Sequence, residues 1–153
     1  MTNGVIPITS TGLAHLQAEL SQLTQTRRPQ LVDRLAIARS MGDLSENNDY
    51  QTAREDLAFV DGRISELEEM IKSSKVVKPI ASSEVGFGHS VKVTINDKPV
   101  IFQIVGDWEA DPAQKKISHS SPLGQALMGK KIGDKVEVVA PAGKIVYTIV
   151  AIE

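Results

Sequence analysis

Residues 42–50 read GDLSENNDY, which sets Asp43, Glu46, Asp49 and Tyr50 within nine positions. Carboxylates close to a helix N-terminus stabilise it by about 0.3–1 kcal/mol each. Capping and solubility account well for one of the three. They account less well for three carboxylates followed by a tyrosine and raised far from any apolar core. Spacing alone leaves both readings open, a capped and solvated turn and a functional tip.

Two helical patterns must carry that tip. The first opens at ITSTGLAHL, with Thr9 or Ser10 as cap, and continues through Leu13, Leu16, Leu20 and Leu23. Pro29 predicts a kink or short break near RRPQ, because proline removes a donor and clashes with the preceding turn. Leu31, Leu35 and Ala38 resume the pattern and Gly42 ends it. The second pattern runs Tyr50, Ala53, Leu57, Val60, Ile64, Leu67 and Ile71 in steps of three and four, a heptad seam that Ser45 or Asn47 can cap. The short turn between the patterns favours antiparallel packing. Arms of about 30 residues would reach roughly 45 Å. Pairing of the seams between two chains is the alternative that the turn opposes. Glu66, Glu68 and Glu69 read as a solvated face.

The rest of the composition narrows the class. The chain has 153 residues, no cysteine and a formal net charge of −2. Disulfides and thiolate metal sites are excluded, and a free-standing nucleic-acid binder would carry a more basic balance. His15, His89 and His119 are too scattered for a zinc cluster. No apolar run approaches the roughly 18 residues of a membrane helix, and no signal segment is visible at the N-terminus. A cytoplasmic protein is expected.

After KSSKVVKPIASSE (72–84) the apolar period becomes that of strands. SVKVTI (90–95) and VIFQIV (100–105) flank a turn at NDKP, KISH (116–119) adds a short strand, and KVEVV (135–139) and KIVYTIVAI (144–152) close a last hairpin around APAG. Between them Ser121 can cap a short helix with Pro122 at its first position, ended by Gly129. Phe87, Phe102, Trp108 and Tyr147 read as core or packing residues. The expected architecture is α+β, with an antiparallel helical arm over residues 1–76 and a small antiparallel sheet domain over 77–153.

With the tip motif, RRPQLVDRLAIAR (27–39), FVDGRISELE (59–68), FGHSVKV (87–93), QIVGDWEAD (103–111) and ISHSSPLGQALMGKKIGDKVEV (117–138), the sequence resembles the bacterial Gre transcript cleavage factors, on their GreA side, over nearly its whole length. The resemblance implies an N-terminal coiled coil and a C-terminal domain of FKBP-like fold. It implies a monomeric elongation factor whose coiled coil enters the secondary channel of bacterial RNA polymerase, while the globular domain grips the channel's rim. There the tip would stimulate the polymerase's own cleavage of backtracked nascent RNA, so the chain would not be an independent enzyme.

Asp43 and Glu46 match the family's catalytic pair. The resemblance has them help hold a second Mg2+ and a water inside the polymerase, with no metal held stably by the isolated chain. Magnesium takes hard oxygen ligands and keeps waters, and two-metal phosphodiester hydrolysis uses one ion at the attacking water and one at the leaving oxygen. Two tip carboxylates alone would bind it weakly. They become useful when polymerase aspartates and RNA phosphate complete the shell. Ser45, Asn47, Asp49 and Tyr50 would support the tip or approach RNA.

Arg34, Arg39 and Arg54 near the tip, and Arg27, Arg28 and Arg63 further off, could hold RNA phosphates in two-pronged contacts. Equally, they could pair with Asp33, Glu55, Asp56 and Asp61. The family's usual NAEY is NNDY here, and Gly124 stands where an alanine-like residue is expected. That glycine either costs roughly 1 kcal/mol or marks a close contact. The competing function is a noncatalytic channel regulator of pausing or initiation. A prolyl isomerase or a plain adaptor fits the residues less well.

Overall fold

A computed structural model describes residues 5–42 and 46–153. Asp43, Leu44 and Ser45 lie outside the described residues. The chain forms two compact units: Leu13–Ser74, and Lys75–Glu153 together with the N-terminal segment through Gly12. That segment was expected with the helical arm. It groups with the sheet because β1 (Ile6–Ile8) pairs with β2 (Ser74–Val76) and because Glu109 holds Thr9.

The helical unit is a long hairpin. α1 (Ser10–Gln22) passes through a π-helical turn (Leu23–Arg27) into α2 (Arg28–Ser40), and α3 (Asn48–Ser73) returns. Ala53, Val60 and Leu67, spaced by sevens, are buried on α3, and Tyr50, Leu57, Ile64 and Ile71 are half-buried. Leu16, Leu31 and Ala38 face them from the other strand of the hairpin. Each such buried aliphatic side chain contributes on the order of 1.5–3 kcal/mol when its size is that of Val or Leu.

Proline did not break the helix. Pro29 cannot donate to the Gln25 carbonyl and its ring crowds it, so the chain widens one turn, with the Arg28 N–H donating to the Leu23 carbonyl. The widened turn also settles a register problem. Leu16 and Leu31 are fifteen positions apart, one more than two heptads, and a π-turn takes up a single extra residue.

The second unit is built on a five-stranded sheet in the order β5-β4-β3-β7-β6, with β3 Ser90–Ile95, β4 Lys98–Val105, β5 Lys116–Ser118, β6 Lys135–Ala140 and β7 Gly143–Ile152. Alternation along the strands turns Val91, Val93, Phe102, Ile104, Val136, Tyr147 and Ile149 inward, where α4 (Pro122–Leu127) adds Leu127. Phe102 and Tyr147 meet edge to face at 6.1 Å. The expected antiparallel sheet is corrected to a mixed one, because β5 runs parallel to β4. The NDKP turn is tighter than expected. Asn96 and Asp97, both at positive φ, form the whole two-residue connection, and Lys98 already pairs with Ile95.

Two details correct the reading of single residues. Trp108, expected in the packing, is 37% exposed. It sits on a short 3-10 turn (Asp107–Glu109) whose anchor is its neighbour. Glu109 accepts from the backbone N–H of Thr9 and Gly106, at 3.0 Å each, and from the Thr9 hydroxyl. Gly124, in turn, marks a close approach. A Cβ there would overlap the Ser118 carbonyl oxygen, so the helix can sit against β5 only without one.

Candidate functional site

The described part of the tip is organised by Asn47. Its extended backbone (φ −92°, ψ 98°) makes it the N-cap of α3, and its Oδ1 accepts the Tyr50 N–H at 3.1 Å. Its Nδ2 donates to the Ala38 carbonyl at 2.7 Å. That carbonyl belongs to the last turn of α2 and also accepts the Met41 N–H. One amide therefore satisfies a free donor of one helix and gives a terminal carbonyl of the other its second donor, and fixes how far apart the two ends of the turn stand. Gly42, at φ +124°, takes the chain out of α2 in a conformation that side chains rarely adopt.

Behind this stitch lies a second cross-hairpin contact. The Arg39 guanidinium lies over the Tyr50 ring, 5.8 Å from its centroid. The tyrosine is thereby held against the arm just below the turn. Further back, Arg34 reaches Asp56 at 3.6 Å and Asp49 at 3.9 Å.

These contacts sort the carboxylates. Asp49 lies in the first turn of α3, where the helix dipole favours it, and it faces Arg34. Glu46 is exposed, and among the described residues it has no hydrogen-bond or ion-pair partner. Asp43 and Ser45, the other expected tip residues, lie outside the described residues. The arginines divide as well. Arg34 and Arg39 are engaged within the hairpin, and Arg54 forms no ion pair among the described residues.

Arg28 and Arg63 are tied down in ion pairs. Arg28 meets Asp61 at 2.7 Å, and Arg63 grips Glu19 in two contacts of 2.7 and 3.0 Å and Glu66 at 3.1 Å. The hydrogen bond from Arg63 holds the Glu19 carboxyl below its ordinary value, and the bonds that Arg63 donates to Glu19, then to Glu66, raise the arginine. Ordinary ion pairing is thus the observed state of Arg28, Arg34 and Arg63.

The donor set at the tip consists of hard carboxylate oxygens, which suits Mg2+. Among the described residues no group of three or more metal-ligating side chains is assembled, so Glu46 could contribute to a metal shell but not supply one. Sequence reasoning missed the Arg39–Tyr50 stack and the Asn47–Ala38 bond. Both join residues on opposite sides of the turn, and only the near-symmetric placement of Arg39 and Tyr50 about residues 42–47 hinted at them.

Two family models match the chain: "Transcription elongation factor, N-terminal" over residues 6–76 and "Transcription elongation factor, GreA/GreB, C-term" over residues 80–153. Among curated proteins it is 44% identical to the transcription elongation factor GreA of Lactococcus lactis subsp. cremoris (strain MG1363) over 152 residues, 96% of this chain and 97% of that one. It is 46% identical to the GreA of Acidiphilium cryptum (strain JF-5) over 150 residues, 95% and 96% of the two chains. Among solved structures, the GreA factor homolog 1 of Thermus thermophilus aligns at 24% identity with a TM-score of 0.45, covering 97% of this chain and 98% of that one.

Proposed function

The chain belongs to the GreA/GreB transcription elongation factor family, and from that footing we propose how its parts divide the work. It acts at bacterial RNA polymerase, entering the secondary channel and stimulating the enzyme's own cleavage of backtracked nascent RNA. It is a stimulator of that reaction and not its catalyst.

In this reading the helical hairpin carries the chemistry and the sheet unit, taken as FKBP-like, grips the rim of the channel. Asp43 and Glu46 are the residues that complete the reaction centre. Asn47 sets the distance between the helix ends that present them, and Tyr50, clamped by Arg39, supports the turn or meets RNA. Arg54, without an ion pair among the described residues, is the arginine best placed for an RNA phosphate, whereas Arg34 and Arg39 would have to leave partners to serve. Mg2+, when bound, activates water and stabilises the leaving oxygen. This chain offers it carboxylate oxygens, and polymerase and RNA must supply the remaining ligands. The chain works as a monomer in the cytoplasm, where transcription takes place. No described helix is long and apolar enough to cross a membrane.

The observation that supports the reading best is Glu46 itself. It is an exposed carboxylate without a partner among the described residues, while the acid three positions on faces an arginine. The test is RNA shortening in defined backtracked complexes across several magnesium concentrations. Wild type should accelerate cleavage, and Asp43→Ala and Glu46→Ala should abolish the acceleration with binding retained. Binding without acceleration by wild type would instead make the chain a noncatalytic channel regulator.

A further inference from the structure

Midway along the arm, well away from the tip, the hairpin carries a feature that its own stability does not explain. Phe59 is 77% exposed, although the neighbouring Val60 is buried in the seam. The ring borders an open groove of about 320 Å3 lined by Gln22, Leu23, Arg27, Asp56, Phe59 and Val60. Leu23 and Arg27 are the first and last residues of the π-turn, so the widened backbone forms one wall. Such turns occur preferentially where a helix is put to use.

The charges around the groove are unequal. Arg28, Arg34 and Arg63 each have a carboxylate partner. Arg27, on the groove wall, has no ion pair among the described residues. Asp56, on the same wall, is engaged by Arg34. Among the described residues the groove therefore offers an apolar ring beside a guanidinium that forms no ion pair. Its complement is a surface with an apolar side chain next to a carboxylate.

The geometry points to the groove of Phe59 and Arg27 as a second docking surface for RNA polymerase, receiving an apolar and acidic segment of the channel wall. This rests on the functional reading above, since the groove lies on the arm that enters the channel. It extends the interface from the tip to the middle of the arm and assigns the π-turn a purpose besides register.

The experiment uses the full chain and backtracked polymerase complexes, with RNA cleavage measured against factor concentration for wild type, Phe59→Ala, Arg27→Gln and Arg27→Glu. Exposed side chains can be changed with little loss of stability, so melting temperatures should stay close to wild type. Truncating an aromatic or arginine anchor typically weakens an interface by about tenfold or more. Half-saturation should rise by about that factor for Phe59→Ala and further for Arg27→Glu than for Arg27→Gln. The maximal cleavage rate at saturation should be retained, because the groove docks and does not react.

Half-saturation within twofold of wild type for both Phe59→Ala and Arg27→Glu would overturn the proposal. So would a loss confined to the Arg27 variants, which would indicate an RNA phosphate as the occupant. A change in sedimentation of Phe59→Ala without a change in half-saturation would indicate a second copy of the chain and also overturn it. Failure of the wild-type protein to stimulate cleavage would be visible before any variant, and would remove the functional reading instead.

Discussion

The sheet unit and the tip of the hairpin treat their polar groups in opposite ways. In the sheet unit, every buried side-chain polar atom among the described residues has a hydrogen-bond partner. His89 is buried, its Nδ1 accepting the Gly86 N–H at 2.8 Å while its Nε2 donates to the Ile80 carbonyl at 2.7 Å. Glu109 takes three donors. Asp107 accepts from the hydroxyls of Ser118 and Ser120, which hold its carboxyl below the ordinary value. At the tip the amide of Asn47 is engaged through both its nitrogen and its oxygen, but Glu46 beside it is left open among the described residues. An unpaired buried polar group costs about 1–3 kcal/mol, whereas an exposed carboxylate in water costs little. A fold can therefore keep a reactive acid only where solvent, or a partner, completes it.

That contrast makes the sheet unit the more sensitive to mutation. Glu109→Ala should cost the most, about 3 kcal/mol, since it strands the Thr9 and Gly106 N–H donors together. Thermal unfolding checks this, and a melt within a degree of wild type would break the comparison. Gly124→Ala should follow at about 2 kcal/mol, because the new methyl collides with the Ser118 carbonyl. Near-neutral behaviour would mean that α4 is free to shift.

Asn47→Ala should cost about 1 kcal/mol through the lost cap. Asn47→Asp sharpens the point, since it can still accept from Tyr50 but cannot donate to Ala38. It should retain most of the stability while weakening cleavage, if the spacing of the helix ends matters for function.

The smallest effect concerns Glu19. Its carboxyl is depressed in the folded chain, so the Arg63 contact stabilises above the unfolded value of about 4.3 and is lost as pH falls through the lower folded value. The pair is partly exposed, which limits its worth to a few tenths of a kcal/mol. Urea midpoints of wild type and Glu19→Gln should converge below about pH 4, and equal pH slopes would contradict the assignment.

Much of this was legible in the sequence where the physics is local. The α3 seam, the Ser121 cap and the strand alternation follow from period and short-range hydrogen bonding. The caps Thr9 and Asn47 each come from a pair of candidates, Thr9 or Ser10 and Ser45 or Asn47, that the sequence leaves open. Pro29 marks in the sequence a disturbance of the helix but not its kind, which is a widened turn and not a break. The fifteen-residue spacing of Leu16 and Leu31 held the answer, because only an inserted residue keeps both in one seam. Contacts across long separations left no periodic trace. The pairing of Ile6–Ile8 with Ser74–Val76, the Glu109–Thr9 bond and the parallel course of β5 are of that kind. At the tip, residue types marked out the acids, but only the fold separated Asp49, facing Arg34, from Glu46.

The most direct measurement is RNA cleavage by backtracked polymerase saturated with Glu46→Ala, with binding and melting temperature recorded on the same preparation. Stimulation should fall to the level of polymerase alone while affinity and stability hold. Undiminished cleavage by that variant would mean that the open carboxylate of the tip is not what the polymerase uses.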